Sequence, residues 1–293
     1  MIKTIKYLII FLLIIGGLIT YFFLHLHKEK NKFLFQSPGK YPQRIISLGP
    51  TITQDLFLLG VGNKIVGDTI YDVKPPQAKF IKKVGSVVEI NVEKIVSLKP
   101  DIVFATSLTS PNQKEELKNL GIRVVTFSEP KNFNGICRQF LEIGKIVGEE
   151  NKAENIIEKS RKEVSEIKEK IKHLPKKKVF IELGDNPLFT ASGNTFINDF
   201  IKFAGGINIA QNAGSGIYSR EEVIKQNPDV IIIDNMEIFF KNEKKIWEKY
   251  KTINAVKNNK IFGINQYLLS SPTPENFPKT LNKMVFFIQS EKL

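Results

Sequence analysis

The sequence predicts an α/β protein with two lobes, each built on a mainly parallel sheet flanked by helices, and joined by one long rigid helix. Three observations predict it. Short apolar segments alternate with helical ones along most of the chain, a helix–Pro-Asp–strand unit occurs twice, and a strand-free helical stretch separates the two copies. Alternating strands and helices are typical of parallel sheets that are covered on both faces.

The repeated unit reads NVEKIVSLKPDIVFA at 91–105 and SREEVIKQNPDVIII at 219–233. The aligned residues are Asn91 with Ser219, Glu93 with Glu221, and Pro100-Asp101 with Pro228-Asp229. Each copy predicts a short helix behind a polar N-cap, a Pro-Asp turn and a buried strand. The repetition indicates two lobes of similar design, and a cleft between two lobes is a common binding site for small molecules.

The remaining elements follow from apolar runs and from helix stop signals. Strands are predicted at 45–48, 65–67, 102–105, 124–127, 179–183, 230–234 and 261–264, and helices at 51–59, 113–120, 196–204 and 275–288. Thr51 or Thr53 is the expected N-cap of the first helix, and Gly60 follows its end.

The connecting region lies between the two copies of the repeat. Apolar residues recur at helical spacing from Ala153 to Ile171, and Pro175 ends the helix. The expected organisation is a membrane anchor at 1–32, a linker at 33–41, an N-terminal lobe at 42–133, a long connecting helix region at 134–174 and a C-terminal lobe at 175–293.

The N-terminus predicts a membrane anchor. An uncharged apolar run from Tyr7 to Leu24 follows Lys3 and Lys6, and about 18 such residues suffice to span a bilayer. Neither a small-residue cleavage motif nor a cysteine for lipid attachment follows the run. We therefore expect an uncleaved anchor. Lysines lie on both sides of the run, so charge alone leaves its orientation open. A body on the extracytoplasmic side is expected because it fits the function that the motifs below imply.

Composition excludes several function classes. The formal net charge of +13 is spread along the chain without a basic, aromatic-rich block, so a nucleic-acid partner is not expected. The chain has one cysteine, Cys137, which is predicted to be buried, and its histidines, His25, His27 and His173, do not follow strands. Because these residues supply most zinc sites and catalytic triads, we expect no metal site, no catalytic residue and no cofactor.

Candidate ligand-binding residues are those that follow strands. They are Gly49, Pro50, Thr51, Tyr71, Thr106, Phe189, Tyr218, Gln266 and Tyr267, with Ser107, Asp185 and Asn186 beside them. Aromatic, hydroxyl and amide groups suit a large, flat, partly apolar ligand that is oriented by a few hydrogen bonds.

Several motifs, in order, resemble class III periplasmic solute-binding proteins, and in particular their cobalamin-binding branch. They are RIISLGPTITQD at 44–55, PPQA at 75–78, the first repeat copy, NPLFT at 186–190 and SREE at 219–222. The resemblance covers residues 41–288. It implies a receptor for an importer of the ATP-binding-cassette (ABC) type, acting as a monomer with a permease dimer and its ATPase.

The same resemblance implies roles for individual residues. One exposed glutamate on each lobe docks on the permease in this family, and the matching positions are Glu93 and Glu221, with Glu222 as the alternative to the second. The implied ligand is a bulky metal chelate: a corrinoid, an iron siderophore or haem. The chain departs from the cobalamin pattern, because its single tryptophan, Trp247, lies away from strand ends and its last loop has no arginine.

Two other functions stay open on the sequence alone. One is a sensory ectodomain that never meets a transporter, and the other is an enzyme on a two-lobed α/β scaffold. Neighbouring permease genes would favour the receptor, and turnover of a bound ligand would favour the enzyme.

Overall fold

The computed structural model describes residues 41–235 and 237–289. The strands are β1 Ile45–Ser47, β2 Ile65–Gly67, β3 Ile102–Thr106, β4 Val124–Phe127, β5 Lys177–Asp185, β6 Leu188–Thr190, β7 Gly206–Asn208, β8 Val230–Asn235 and β9 Ile261–Asn265. The helices are α1 Pro50–Leu58, α2 Val92–Ser97, α3 Pro111–Asn119, α4 Phe133–Val147, α5 Glu150–Ile171, α6 Phe196–Phe203, α7 Arg220–Gln226, α8 Glu237–Trp247, α9 Asn254–Lys257, α10 Gln266–Ser270 and α11 Phe277–Gln289.

The strands form two sheets, which confirms the predicted fold class. The first sheet has the order β2-β1-β3-β4 and is parallel throughout. The second has the order β6-β5-β8-β9, with β7 also paired to β5, and only β6 runs antiparallel. The three-residue strands β6 and β7 were not predicted from the sequence.

The two copies of the repeat make the same contacts in the two lobes. The carboxylate of Asp101 accepts hydrogen bonds from the N–H groups of Gln43 (2.7 Å) and Arg44 (2.8 Å), just before β1. The carboxylate of Asp229 accepts one from the N–H of Lys178 (2.9 Å), in β5. Each Pro-Asp turn therefore fixes the start of the neighbouring central strand.

The predicted N-caps of the repeated helices are present. The Asn91 side chain accepts a hydrogen bond from the N–H of Lys94 (2.7 Å), and the Ser219 hydroxyl accepts one from Glu222 (3.1 Å). Each bond satisfies one of the free N–H groups that open a helix. Helices α2 and α7 thus begin at equivalent points of the two lobes.

The first helix begins differently from the prediction. Gly49 is its N-cap and Pro50 its first residue, so neither Thr51 nor Thr53 is the cap. The hydroxyl of Thr53 instead donates a hydrogen bond to Ser47 (2.8 Å) in the buried interior. Proline is favoured at the first helical position because its missing N–H group would have no partner there.

The connecting region contains the predicted long helix, but that helix does not fill it. The 22-residue helix α5 is preceded by a separate helix, α4, and the chain turns at Gly148, where φ is +85°. Helix α5 starts beside the first lobe, where the ammonium of Lys152 lies near Gly60, and ends in the second lobe, where Ile171 lies near Gly205. The predicted connecting region at 134–174 therefore holds two helices, α4 and α5, which pack against each other.

The two lobes share one continuous core. The ring of Phe133, which opens α4, lies 4.4 Å from that of Phe277 on α11, between centroids. The N–H of Phe133 also donates a hydrogen bond to the carboxylate of Asp199 on α6 (2.9 Å). A single cluster of buried apolar residues includes side chains of both sheets.

The predicted anchor at 1–32 and almost all of the predicted linker lie outside the described residues. Within residues 41–235 and 237–289, none of the helices combines the length and the apolar character needed to cross a bilayer.

Candidate functional site

The candidate ligand residues gather at one edge of each sheet. The carboxyl ends of parallel strands meet at the same edge, where ligands of α/β proteins bind. The edge of the first sheet carries Gly49, Pro50, Thr51, Tyr71 and Thr106, and that of the second carries Phe189, Tyr218, Gln266 and Tyr267. Tyr267 contacts Lys74 from the other lobe, which brings the two edges together, and the space between them is the candidate cleft.

The loops after β1 and β3 pack tightly against each other. A Cβ atom on the buried Gly49 would lie 2.7 Å from the Cγ2 atom of Thr106, so only glycine fits here without a shift. The Thr106 hydroxyl accepts a hydrogen bond from the N–H of Leu108 (3.2 Å). This packing presents the side chain of Leu108 to solvent.

Large apolar side chains on the first lobe are exposed at this edge. Tyr71 is 57% exposed, and Ile70, Val73, Val88 and Leu108 are between 43% and 64% exposed. Four of these residues lie on the loops after β2 and β3, and the carbonyl of Val88 accepts a hydrogen bond from Ser110 in the second loop. An exposed apolar patch of this kind marks a binding surface. Sequence reasoning selected only Tyr71, although the position of the other four in loops on the cleft side could have indicated them.

The second lobe presents a matching apolar surface. Phe189 is 41% exposed and Ile217 49% exposed, and a backbone bridge pairs these two residues. Next to them, the hydroxyl of Tyr218 donates a hydrogen bond to the carbonyl of Ile209 (3.2 Å). The Tyr218 ring is therefore held in place, half-buried beside Phe189.

Tyr267 joins the two lobes. Its hydroxyl donates a hydrogen bond to the carbonyl oxygen of Lys74 (3.4 Å), and the Lys74 ammonium lies 4.8 Å from the centre of the Tyr267 ring. Burial raises the pKa of Tyr267, and the nearby Asp72 raises it further, so the hydroxyl remains a donor at neutral pH. The neighbouring Gln266 is exposed at the start of α10.

A buried charged cluster supports the loop that carries Tyr71. The Lys83 ammonium donates hydrogen bonds to Asp68 Oδ1 (2.8 Å) and to the carbonyls of Asp72 (2.9 Å) and Ala78 (3.0 Å). The Asp68 side chain is fully buried, and this burial raises its pKa to about 7 despite the bond to Lys83. These contacts fix the loop at both of its ends.

This fold and this cleft agree with the comparisons to known proteins. The family model described as "Periplasmic binding protein" matches residues 45–268. The chain belongs to the periplasmic binding protein family. Members of the family bind solutes, so the activity of this chain is binding and not catalysis.

Individual relatives of this periplasmic binding protein cover most of its length. An uncharacterized ABC transporter substrate-binding lipoprotein of Bacillus subtilis, YvrC, is 32% identical over 80% of this chain and 76% of its own. A vitamin B12-binding protein of Yersinia pestis is 30% identical over 73% and 77%. The crystal structure of the vitamin B12-binding protein BtuF of Vibrio cholerae has the same fold, with a TM-score of 0.74 at 23% identity over 86% of this chain and 99% of that one.

Two further residues, Cys137 and Trp247, lie in the interior of this periplasmic binding protein. Cys137 is buried, as predicted, and burial raises the pKa of its thiol. Trp247 is completely buried in the second lobe and does not line the cleft. Among the described residues, no group of three or more His, Cys, Asp or Glu side chains is placed to hold a metal ion.

The candidate docking residues lie at equivalent points of the two lobes. Glu93 is exposed in the first turn of α2, and Glu221 is exposed in the first turn of α7. Glu222 differs, because its carboxylate accepts a hydrogen bond from the side chain of Gln226 (2.9 Å). Of the two acids on α7, Glu221 is the more exposed.

Proposed function

We propose that this periplasmic binding protein captures a bulky, uncharged metal chelate, namely a corrinoid, between its two lobes and delivers it to the permease dimer of an ABC importer. The observation that carries the proposal is the pair of exposed apolar surfaces at the facing sheet edges. Tyr71 and Leu108 represent one surface, and Phe189 and Ile217 the other. The vitamin B12-binding and ABC substrate-binding relatives support the same class of ligand and partner.

The chemistry of the cleft favours a neutral ligand. Apolar side chains on both walls gain about 25 cal/mol for each Å² of apolar surface that a ligand covers. The hydroxyl of Thr106 and the amide of Gln266 can bind the amide groups that surround a corrin ring. An anionic siderophore or the propionates of haem would need cations in the cleft. Asp185 is acidic there, and the Lys74 ammonium already lies over the ring of Tyr267.

Haem is the second candidate ligand because one phenol is available for iron. Tyr71 is 57% exposed, whereas the hydroxyls of Tyr218 and Tyr267 are bonded to backbone carbonyls. If haem is the ligand, Tyr71→Phe abolishes the tyrosinate-to-iron absorption band. With a corrinoid ligand, the same substitution has only a small effect on affinity.

Ligand binding is tested by calorimetry on the full chain with cyanocobalamin, dicyanocobinamide, hemin and a neutral ferric hydroxamate. We expect cyanocobalamin or the cobinamide to bind, and Phe189→Ala to weaken that binding about tenfold through the loss of about 1.5 kcal/mol of apolar contact. Phe286→Ala is the matched control, because Phe286 is 59% exposed on α11. Failure of all four compounds to bind would remove the proposed function.

Glu93 and Glu221 are the proposed contacts with the permease. Two separated carboxylates that meet guanidinium groups would fix the orientation of the receptor and speed its association. We expect Glu93→Ala and Glu221→Ala each to lower transport about tenfold while ligand affinity stays constant. Glu222→Gln is the comparison, because loss of transport in that variant alone would assign docking to Glu222.

We also propose that residues 1–32 anchor the protein to the membrane as a monomer, with its body outside the cytoplasm. The apolar run from Tyr7 to Leu24 supports this proposal. The full chain should sediment with membranes and resist extraction by carbonate, and a chain that starts at residue 33 should not. Release of the full chain by carbonate would contradict the anchor.

A further inference from the structure

The second lobe contains a buried charged cluster that the roles above do not use. An Nη2 atom of Arg220, the first residue of α7, lies 2.5 Å from Glu243 Oε2 and 3.8 Å from Glu182 Oε1. The guanidinium lies over the ring of Trp247, 4.8 Å from its centre, and the indole N–H of Trp247 donates a hydrogen bond to Glu182 (2.5 Å). The cluster thus connects α7, α8 and β5.

Burying this charged cluster in the core costs free energy. The side chains of Glu182 and Glu243 are 0% and 3% exposed, and they share one guanidinium that is 21% exposed. Burial and the adjacent Glu243 raise the pKa of Glu182 to about 8. Apolar residues of equal volume stabilise a core as well as such a group does, or better. A buried ionic cluster in this place therefore calls for a role other than stability.

The cluster lies between the two functional surfaces of the lobe. Arg220 directly precedes Glu221, the proposed docking residue. At the other end, Glu182 of β5 pairs with Thr190 of β6, and Phe189, the residue before Thr190, is exposed at the candidate cleft. The path from the ligand surface to the docking surface therefore consists of one strand pair and one shared guanidinium.

We propose that Arg220 is a positioning residue that couples the occupancy of the ligand cleft to the orientation of the docking helix α7. This proposal rests on the docking role of Glu221 given above. Glu182 Oε1 and Arg220 Nη1 are buried without a hydrogen-bond partner among the described residues. A shift of about 1 Å between β5 and α7 would bring Arg220 and Glu182 to hydrogen-bond distance.

Occupancy of the cleft provides a reason for that shift. A ligand that packs on Phe189 presses on β6, and β6 is hydrogen-bonded to β5 next to Glu182. The guanidinium transmits the movement to α7 because it contacts both acids and also the ring of Trp247. Coupling between two sites is reciprocal, so contact of the permease with α7 must also change ligand affinity.

The first experiment needs no ligand and uses hydrogen exchange of the full chain. Lysine replaces the planar guanidinium, whose donors lie in a fixed fork that also stacks on the Trp247 ring, by a compact ammonium on a flexible chain. Arg220→Lys should therefore accelerate exchange at 186–190 as well as in α7, and should shift the emission of Trp247, the single tryptophan of the chain. In the control Glu221→Gln, exchange at 186–190 should not change. Changes confined to α7 in Arg220→Lys would overturn the coupling.

The second experiment measures permease binding with and without cyanocobalamin. In the wild type, cyanocobalamin should tighten binding of the receptor to the permease about fivefold or more. In Arg220→Lys the tightening should vanish, while cyanocobalamin affinity changes by less than about threefold. A larger loss of cyanocobalamin affinity would place Arg220 in the ligand site and would contradict the proposal.

A neutral variant covers the case in which Arg220→Lys does not fold. The triple substitution Arg220→Met, Glu182→Gln and Glu243→Gln removes every charge of the cluster together and should remain folded. It should show the same loss of coupling, and persistence of coupling in this variant would overturn the proposal. If the wild type does not bind cyanocobalamin, the proposed ligand is wrong, and the exchange experiment still decides whether Arg220 connects the two surfaces.

Discussion

Lys83 holds the loop that carries Tyr71 by three hydrogen bonds to groups that are buried beneath it. Asp68 and Asp72 are both buried there, and one lysine cannot neutralise both. Burial is the main cause that raises the pKa of Asp68 to about 7, and Asp72 raises it further. A wall of the ligand cleft therefore rests on a carboxyl group that titrates near neutral pH.

The stability of the protein should therefore depend on Asp68. The folded protein binds this proton more tightly than the unfolded chain, whose pKa is 3.8, so the stabilisation is complete below about pH 4 and is lost as the pH rises through 7. Between pH 5 and pH 8, urea unfolding should show a loss on the order of 2–3 kcal/mol that is absent in Asp68→Asn. Equal pH dependence of stability in both proteins would contradict this assignment. Lys83→Met should move the loss of stability to higher pH, because Lys83 lowers the pKa of Asp68.

The turn between α4 and α5 depends on one glycine. Gly148 has φ of +85°, and a Cβ atom on it would lie 2.6 Å from the ring of Tyr41. Gly148→Ala should lower the free energy of unfolding by about 1–2 kcal/mol, because a left-handed backbone disfavours any residue with a Cβ atom. Gly214→Ala, which meets nothing within 4 Å, is the matched control in urea unfolding. Equal stability of the two variants would contradict this role of Gly148.

The same elements show what the sequence can predict. Asn91 and Ser219 cap helices three residues away and a Pro-Asp pair marks a local turn, so their pattern predicted the repeated helix and strand. The bonds of Asp101 to Gln43 and of Asp229 to Lys178 were not predictable, because they join residues far apart in the chain. Gly148 was missed because Gly144, four residues earlier, lies inside α4, and only the folded backbone, which is left-handed at Gly148, distinguishes the two glycines.

The residues around the cleft show the same difference between local patterns, which the sequence reveals, and long-range contacts, which it does not. Strand ends predicted which loops carry Tyr71, Phe189 and Tyr267, since the carboxyl ends of parallel strands always meet. The contact of Arg220 with Glu182 was not predictable, because β6, α6 and β7 separate these residues in the sequence and only the completed sheet brings them together.

At the scale of the whole molecule, the two lobes are held together by side-chain contacts as well as by the connecting chain. Helix α5 spans both lobes, the hydroxyl of Ser160 on α5 donates a hydrogen bond to the carbonyl of Pro274 (2.5 Å), and Phe133 contacts both Phe277 and Asp199. A continuous core and a helix resist the hinge closure that flexible connections permit. Binding should therefore change the separation of the lobes very little.

This rigidity can be measured as the distance between two spin labels, one on each lobe. Spin labels at Lys118→Cys and Lys249→Cys would mark one exposed position on each lobe, and the buried Cys137 should resist labelling. We expect a narrow distance distribution in the apo protein and no shift of its peak on addition of cyanocobalamin. Ser165→Pro in α5 should broaden the distribution, because proline inside a helix costs about 3 kcal/mol and breaks a backbone hydrogen bond. Ser165→Ala should leave it narrow, and a wild-type peak that moves on binding would show that α5 acts as a hinge and not as a rigid connection.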